Sequence, residues 1–223
     1  GESAAGIGGG YEGDGDHITI SDGTVTATCP NNWKSDPTYA AGIGGGYKGN
    51  GTDINISGGT VIATGGTGAG IGGGGAGKGE NIRISGGKVT AISAKGAGIG
   101  GGQCGDGHDI SVSGGTVEVS GGDNSADIGG GNGWSATYPS GSASNITVSE
   151  DATVKKTDGS TTPTIGVAND GGVKFLVIRD ESGTKREITY TSKGDMSTIQ
   201  NGDTVKLLGD VTLKDTESIT VDA

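Results

Sequence analysis

His17, Asp53, Asn81, Asp109 and Asn145 each stand one place ahead of a short apolar pair, and Asp14, Asp16, Asn50, Glu80 and Asp106 lie close by. Carboxylate oxygens at such density are hard ligands of the kind that calcium takes. Asp14, Asp16, Asp53, Asp106 and Asp109 are the set expected to hold it, although no loop has the spacing of a recognised calcium motif. The alternative use is structural. Stacked at the ~4.8 Å spacing of paired strands, Asx side chains reach one another and form a hydrogen-bonded ladder.

Residues 55, 83 and 111 fill the polar place inside successive apolar pairs, so Asp53, Asn55, Arg83 and Asp109 are expected on one outward face. Such a face can hydrogen-bond sugar hydroxyls. It would serve a polysaccharide lyase or glycoside hydrolase only with its groups at the separation that the chemistry requires. His17 and His108 have no Ser or Cys partner in a recognisable motif, which leaves nucleophilic catalysis without support. A binding surface is expected, not an enzyme.

Aromatic side chains offer a second surface. Trp33 and Tyr39 fall within "CPNNWKSDPTY", Trp134 and Tyr138 within "NGWSATYPSGS", and the chain has no other Trp. Exposed, these rings would supply flat apolar faces with a polar edge, which stack on a sugar or anchor a protein interface. Folded inward, they would plug the two ends of whatever the intervening chain builds.

What positions these groups is a repeat. The isoleucine of "GIGGG" falls at Ile7, Ile43, Ile71 and Ile99, and that of "ADIGGG" at Ile128, with spacings of 36, 28, 28 and 29. Eleven residues after the first four come Ile18/Ile20, Ile54/Ile56, Ile82/Ile84 and Ile110/Val112, and seven further on come Val25, Val61, Val89 and Val117. The fifth copy keeps the order with Ile146/Val148 and Val154, but delays both. Apolar residues alternate with polar ones between glycine turns, and no segment has a 3.6-residue stripe, so each unit reads as three short strands. One unit cannot bury its few apolar side chains alone. Stacking lets every strand pair with its counterpart above and below. The predicted fold is all-β: a right-handed parallel β-helix of about five three-stranded rungs. The two aromatic segments are the places where the period lengthens, and insertions of this kind map to loops that often bind.

The isoleucines of the first strand are flanked by Gly6/Gly8, Gly42/Gly44, Gly70/Gly72, Gly98/Gly100 and Asp127/Gly129. Either these form an outward strip free of side chains, about 24 Å long at ~4.8 Å per rung, or the chain turns there too tightly for a Cβ.

After about Gly159 the period is lost. Residues 173–191 read as two strands joined at Gly183, and 197–222 hold further beats at Val205/Leu207, Val211/Leu213 and Ile219/Val221. The division is 1–158 for the repeats and 159–223 for a β region that either caps the helix or begins another module. Cys29 and Cys104 are three rungs apart, ~14 Å along the axis, beyond the roughly 7 Å limit for a disulfide; free thiols are expected. The net charge of −11 disfavours nucleic acid and anionic membranes. No apolar run is long enough to span a bilayer. The start, without Met or signal sequence, leads us to expect a monomeric piece of a larger processed chain.

The "AGIGGG…GxGxxIxISGGTVxA" units, and the "NGDTVKLLGDVTL" segment, resemble modules of large secreted or wall-attached surface proteins of Gram-positive anaerobes, often of the gut. The resemblance covers roughly residues 1–155 and 200–222. It implies a right-handed β-helix, an extracellular or cell-surface location, and carbohydrate binding or adhesion. The chain holds no wall-sorting signal, so the anchor is expected elsewhere. The expected function is a non-catalytic module that binds a glycan through Trp33, Tyr39, Trp134 and Tyr138 and the polar faces, with no cofactor other than calcium. The alternatives are an adhesin for a host protein such as an immunoglobulin or mucin, and a structural stalk.

Overall fold

Within the repeats, glycine turns cut the chain into strands of two to six residues, and each strand recurs one period later. The computed structural model describes residues 3–29, 38–149, 151–160 and 163–166, and beyond them strands at 173–181, 184–191 and 204–207. The first rung consists of β1 (Ile7–Gly8), β2 (Gly15–Asp16), β3 (Thr19–Ile20) and β4 (Thr24–Thr28). The second has β5 (Ile43–Gly44), β6 (Gly51–Ile56) and β7 (Thr60–Gly65), and the third β8 (Ile71–Gly72), β9 (Gly79–Ile84) and β10 (Lys88–Ser93). Then come β11 (Ile99–Gly100), β12 (Gly107–Val112) and β13 (Gly115–Ser120), followed by β14 (Ile128–Gly129), β15 (Ala143–Val148), β16 (Ala152–Lys156) and β17 (Ile165–Gly166).

Every strand pairs in parallel with its counterpart in the neighbouring rung. Sheet A contains β1, β5, β8, β11, β14 and β17; sheet B runs from β2 and β3 through β6, β9 and β12 to β15; sheet C contains β4, β7, β10, β13 and β16. The register is that of the repeat: Ile43 lies opposite Ile71, Ile54 opposite Ile82 and Val61 opposite Val89. This is a parallel β-helix, with the right-handed winding of parallel crossovers. Sheet A extends beyond residue 158 because Ile165 pairs with Ile128. That last strand keeps the Ile-Gly pair but lacks the glycines that mark the other copies.

The interior is a column of small and medium apolar side chains. Ile71 from sheet A, Ile82 and Ile84 from sheet B, and Val89 and Ala91 from sheet C are fully buried, and their counterparts in the adjoining rungs join them in one cluster. Each buried Ile or Val contributes roughly 1.5–3 kcal/mol relative to exposure.

The glycines of sheet A do not form a bare outer strip. Gly42, Gly44, Gly70 and Gly72 are buried. A Cβ on Gly42 would meet the backbone of Ala63 and Thr64 at the end of β7, and one on Gly44 would strike the Gly72 carbonyl of the next rung. Gly44 also has φ of +129°. The chain turns from sheet A to sheet B so sharply that backbone packs on backbone, and the tight-turn alternative holds.

Beyond the stack, β18 (Val173–Glu181) and β19 (Thr184–Thr191) form the expected antiparallel hairpin. β19 pairs antiparallel with β15, and β20 (Thr204–Leu207) pairs with β18. The hairpin thereby occupies an edge of sheet B that would otherwise be open. Val211/Leu213 and Ile219/Val221 lie outside the described residues. Among the described residues no helix is long and apolar enough to cross a membrane.

Candidate functional site

The outer face of sheet B carries the recurrent Asx column. His17, Asp53, Asn81, Asp109 and Asn145 have φ values between +49° and +54°. This is the left-handed region, in which Asn, Asp and His are enriched and β-branched side chains are strained. Each kink sits between two ladder pairs: Thr52 opposes Glu80 and Ile54 opposes Ile82, with Asp53 and Asn81 between them. Backbone conformation is therefore a sufficient reason for these residue types. A ladder bond is present as well, Asn145 donating from Nδ2 to Asp109 Oδ1 at 2.9 Å. Asn55 lies opposite Arg83, and Arg83 opposite Ser111. Asp53, Asn55, Arg83 and Asp109 thus share this sheet, with the two carboxylates two rungs apart.

The five carboxylates considered for calcium do not converge. Asp14 Oδ1 accepts the Asn50 N–H at 2.6 Å, and Asn50 Oδ1 accepts the Lys78 N–H at 3.0 Å. Asp106 Oδ1 accepts both the N–H and the hydroxyl of Ser142 at 2.8 Å. Asp14 and Asp106 therefore belong to a second ladder that ties one rung to the next. Asp16 and Asp53 do approach one another, but through His17, whose Nδ1 is 2.8 Å from Asp16 and whose Nε2 is 3.8 Å from Asp53. This mixed nitrogen and oxygen cluster differs from the six to eight oxygens that calcium prefers. A hydrogen bond from Thr52, helped by His17, holds the Asp16 carboxyl below its usual value.

His108 has a neighbour that the sequence did not disclose: its Nδ1 is 2.8 Å from Ser144 Oγ. The two are 36 residues apart because the fifth copy is lengthened. Asp106 Oδ2 stands 3.8 Å from His108 Nε2 and 3.4 Å from Lys78 Nζ. Burial pushes the Asp106 carboxyl up, but the Ser142 hydrogen bonds and the His108 and Lys78 charges outweigh it and hold it low. Ser, His and Asp are the residue types of a hydrolytic relay. The 3.8 Å gap exceeds hydrogen-bond reach, so no direct hydrogen bond joins Asp106 to His108.

Among the described side chains, five aromatics gather around the turn that leads from sheet A to sheet B. Tyr11 and Tyr47 occupy the same place in successive rungs, with ring centroids 5.8 Å apart. Tyr39, at the end of the long connection that follows β4, packs on Tyr47 at 4.8 Å. The Tyr39 carbonyl accepts the Gly75 N–H at 2.6 Å, which places this segment over the third rung. In the fifth rung, Trp134 meets Tyr138 edge-on at 5.2 Å. The Tyr138 carbonyl lies 3.8 Å from the Cys104 thiol, so this loop reaches back over the fourth rung.

Trp134 is 61% exposed and Tyr138 53%, which overturns the plug alternative for their loop. It projects from the side of the stack, over the turn that holds Cys104, and not over an open end. Tyr39 is half-buried. Trp33 lies outside the described residues. Gly75 and Gln103 hold the equivalent places between the two groups. The result is a row of aromatics along the axis, over turns that span four rung heights, about 19 Å. Attention to insertions alone misses Tyr11 and Tyr47; the signal for them is a tyrosine at one offset in two consecutive copies, "GGGYEG" and "GGGYKG".

Among the described residues, three lysines beside this row each face a carboxylate. Lys48 is 3.4 Å from Glu12 and lies over the Tyr47 ring, Lys78 is 3.4 Å from Asp106, and Lys95 is 3.6 Å from Asp123. Cys29 and Cys104 are free thiols, both pushed up in pKa by burial.

Comparison with known families matches residues 18–47, 54–75 and 82–103 to the model described as Beta helix repeat. No curated protein and no solved structure matches the chain. The matched segments cover much of the second and third rungs and most of the aromatic edge between Tyr39 and Gln103.

Proposed function

We propose that this chain is a non-catalytic, extracellular or cell-surface module that binds carbohydrate along its aromatic edge. The observation that carries the reading is the row of Tyr11, Tyr47, Tyr39, Trp134 and Tyr138, set on one side of a rigid stack, with Trp134 and Tyr138 standing free in solvent. Exposed rings on a fixed backbone bind at small entropic cost, and their polar edges keep such a surface soluble. Asp53, Asn55, Arg83 and Asp109 on the adjoining face of sheet B supply hydrogen-bonding groups for the hydroxyls of the same ligand. Trp33, in the first insertion, is included on the sequence alone as a further aromatic for this ligand.

A second reading has its own support. Tyr and Trp clusters are the usual anchors of protein interfaces, so an adhesin for a host protein such as an immunoglobulin or mucin would use the same edge. A glycan-array screen of the chain separates the two. A hit is expected that is lost in Trp134→Ala/Tyr138→Ala while circular dichroism stays unchanged. Repeating the screen in chelator tests calcium. Silence across the array, with retention of the chain on immobilised immunoglobulin or mucin protein, would replace the glycan by a protein partner.

A further inference from the structure

We infer that the aromatic edge takes a single uncharged, linear polysaccharide chain lying along the helix axis, with both aromatic groups touching that chain at once. This rests on the carbohydrate reading above and specifies its ligand. The direction follows from placement. The tyrosine group and the Trp134–Tyr138 pair stand at different heights on one edge, with Gly75 and Gln103 at the places between them. A polymer crossing the axis would meet one group only. A polymer running along it would pass from the first to the second above Gly75, which is buried beneath the Tyr39 carbonyl and adds no side chain of its own to the edge.

The preference for an uncharged chain rests on the ion pairs of the described lysines beside the rings; Arg83 lies between Asn55 and Ser111 on the face of sheet B, where it is assigned to ligand hydroxyls. Lys48, Lys78 and Lys95 beside the row are each set against Glu12, Asp106 or Asp123. A uronate or sulfated polymer would have to displace these carboxylates while approaching a chain of net charge −11. Ring geometry adds that the ligand is a free chain and not a crystalline face. Tyr11, Tyr47 and Tyr39 are tilted to one another by 46° and 48°, so they offer no common plane to a flat surface. They suit a single strand whose successive rings twist.

Two weak contacts on one ligand act as a linked pair, and the second forms at a high effective concentration once the first is made. Affinity should therefore depend on ligand length. The test is calorimetric titration of the chain with xylo-, manno- and cello-oligosaccharides from disaccharide to octasaccharide, with oligogalacturonides as the charged control. In at least one neutral series, affinity is expected to rise by about a hundredfold at the length that reaches both groups. Trp134→Ala/Tyr138→Ala should remove that rise while short members keep their weak binding. Trp134→Leu, a milder change at an exposed position, serves if the double variant does not fold. Affinity independent of length, preference for the oligogalacturonides, or a rise that survives these substitutions would overturn the inference while leaving carbohydrate binding in place. No binding in any series, together with a silent glycan array, would remove both.

Discussion

Asn81 sits in a conformation that most side chains avoid, with φ of +54° inside a strand. Asn81→Val should lower stability by about 1–3 kcal/mol, whereas Asn81→Gly should lie close to the parent; urea denaturation of the two variants checks the contrast. Equal stability of the valine variant would mean that the kink makes no such demand. Asp127 makes a different demand, being 2% exposed where Gly42, Gly70 and Gly98 stand in other copies. Its carboxylate accepts the Gly121 N–H at 2.8 Å and the Thr164 N–H at 2.7 Å, and faces Lys156 Nζ at 3.5 Å. Asp127→Ala leaves these donors and the cation without their partner and should cost about 3 kcal/mol; Asp127→Asn keeps an acceptor and should cost less in the same assay. Neither role can be read from residue type alone. An Asx column looks the same in sequence whether it binds metal, builds a ladder or fills a left-handed kink.

Among the elements, the sheet-A-to-B corner is governed by what approaches its glycines. At Gly44 a methyl group would strike the Gly72 carbonyl, and φ is already +129°. At Gly10 a methyl group would meet nothing within 4 Å, and φ lies outside the left-handed range. Gly44→Ala should therefore cost several kcal/mol or prevent folding, while Gly10→Ala should leave stability unchanged or raise it by about 0.4–1 kcal/mol; thermal melts of both decide. The strands themselves were legible, because Ile54/Ile56 and Val61/Ala63 alternate with period two and recur in register. The meaning of the glycines was not, since a missing side chain does not reveal which backbone comes near. The same limit applies to the site. Trp134 and Tyr138 stand out as an insertion, but their exposure depends on the turn beneath them, and the Tyr11–Tyr47 contact exists only once the rungs stack.

For the whole molecule, stability is a sum of rungs and their interfaces. Ile71 and Ile99 are 28 residues apart, so excising residues 71–98 removes one complete turn and joins equivalent backbone positions. That variant should fold with the same β-sheet circular dichroism and a reduced melting temperature. Excising residues 71–84, which cuts the period in half, should abolish cooperative melting. The full-period variant also brings the two aromatic groups one rung closer, about 4.8 Å, and should move the rise in affinity to a shorter oligosaccharide.

The inter-rung hydrogen bonds, described above as ladders, also set how the chain carries load. They point along the axis, so tension between the first rung and the last strains one interface at a time, as in a zipper, instead of shearing all of them together. Peeling begins at β1, because β15 at the other end is bound by β19. Each 28-residue period that lets go releases roughly 90 Å of extended chain at about 3.3 Å per residue. Single-molecule pulling should therefore show a first step of roughly 120 Å from the 36-residue rung, followed by low, evenly spaced steps of about 90 Å. A module of this kind gives way gradually under drag and rewinds onto the rungs that remain, so it works as a shock absorber more than as a rigid strut.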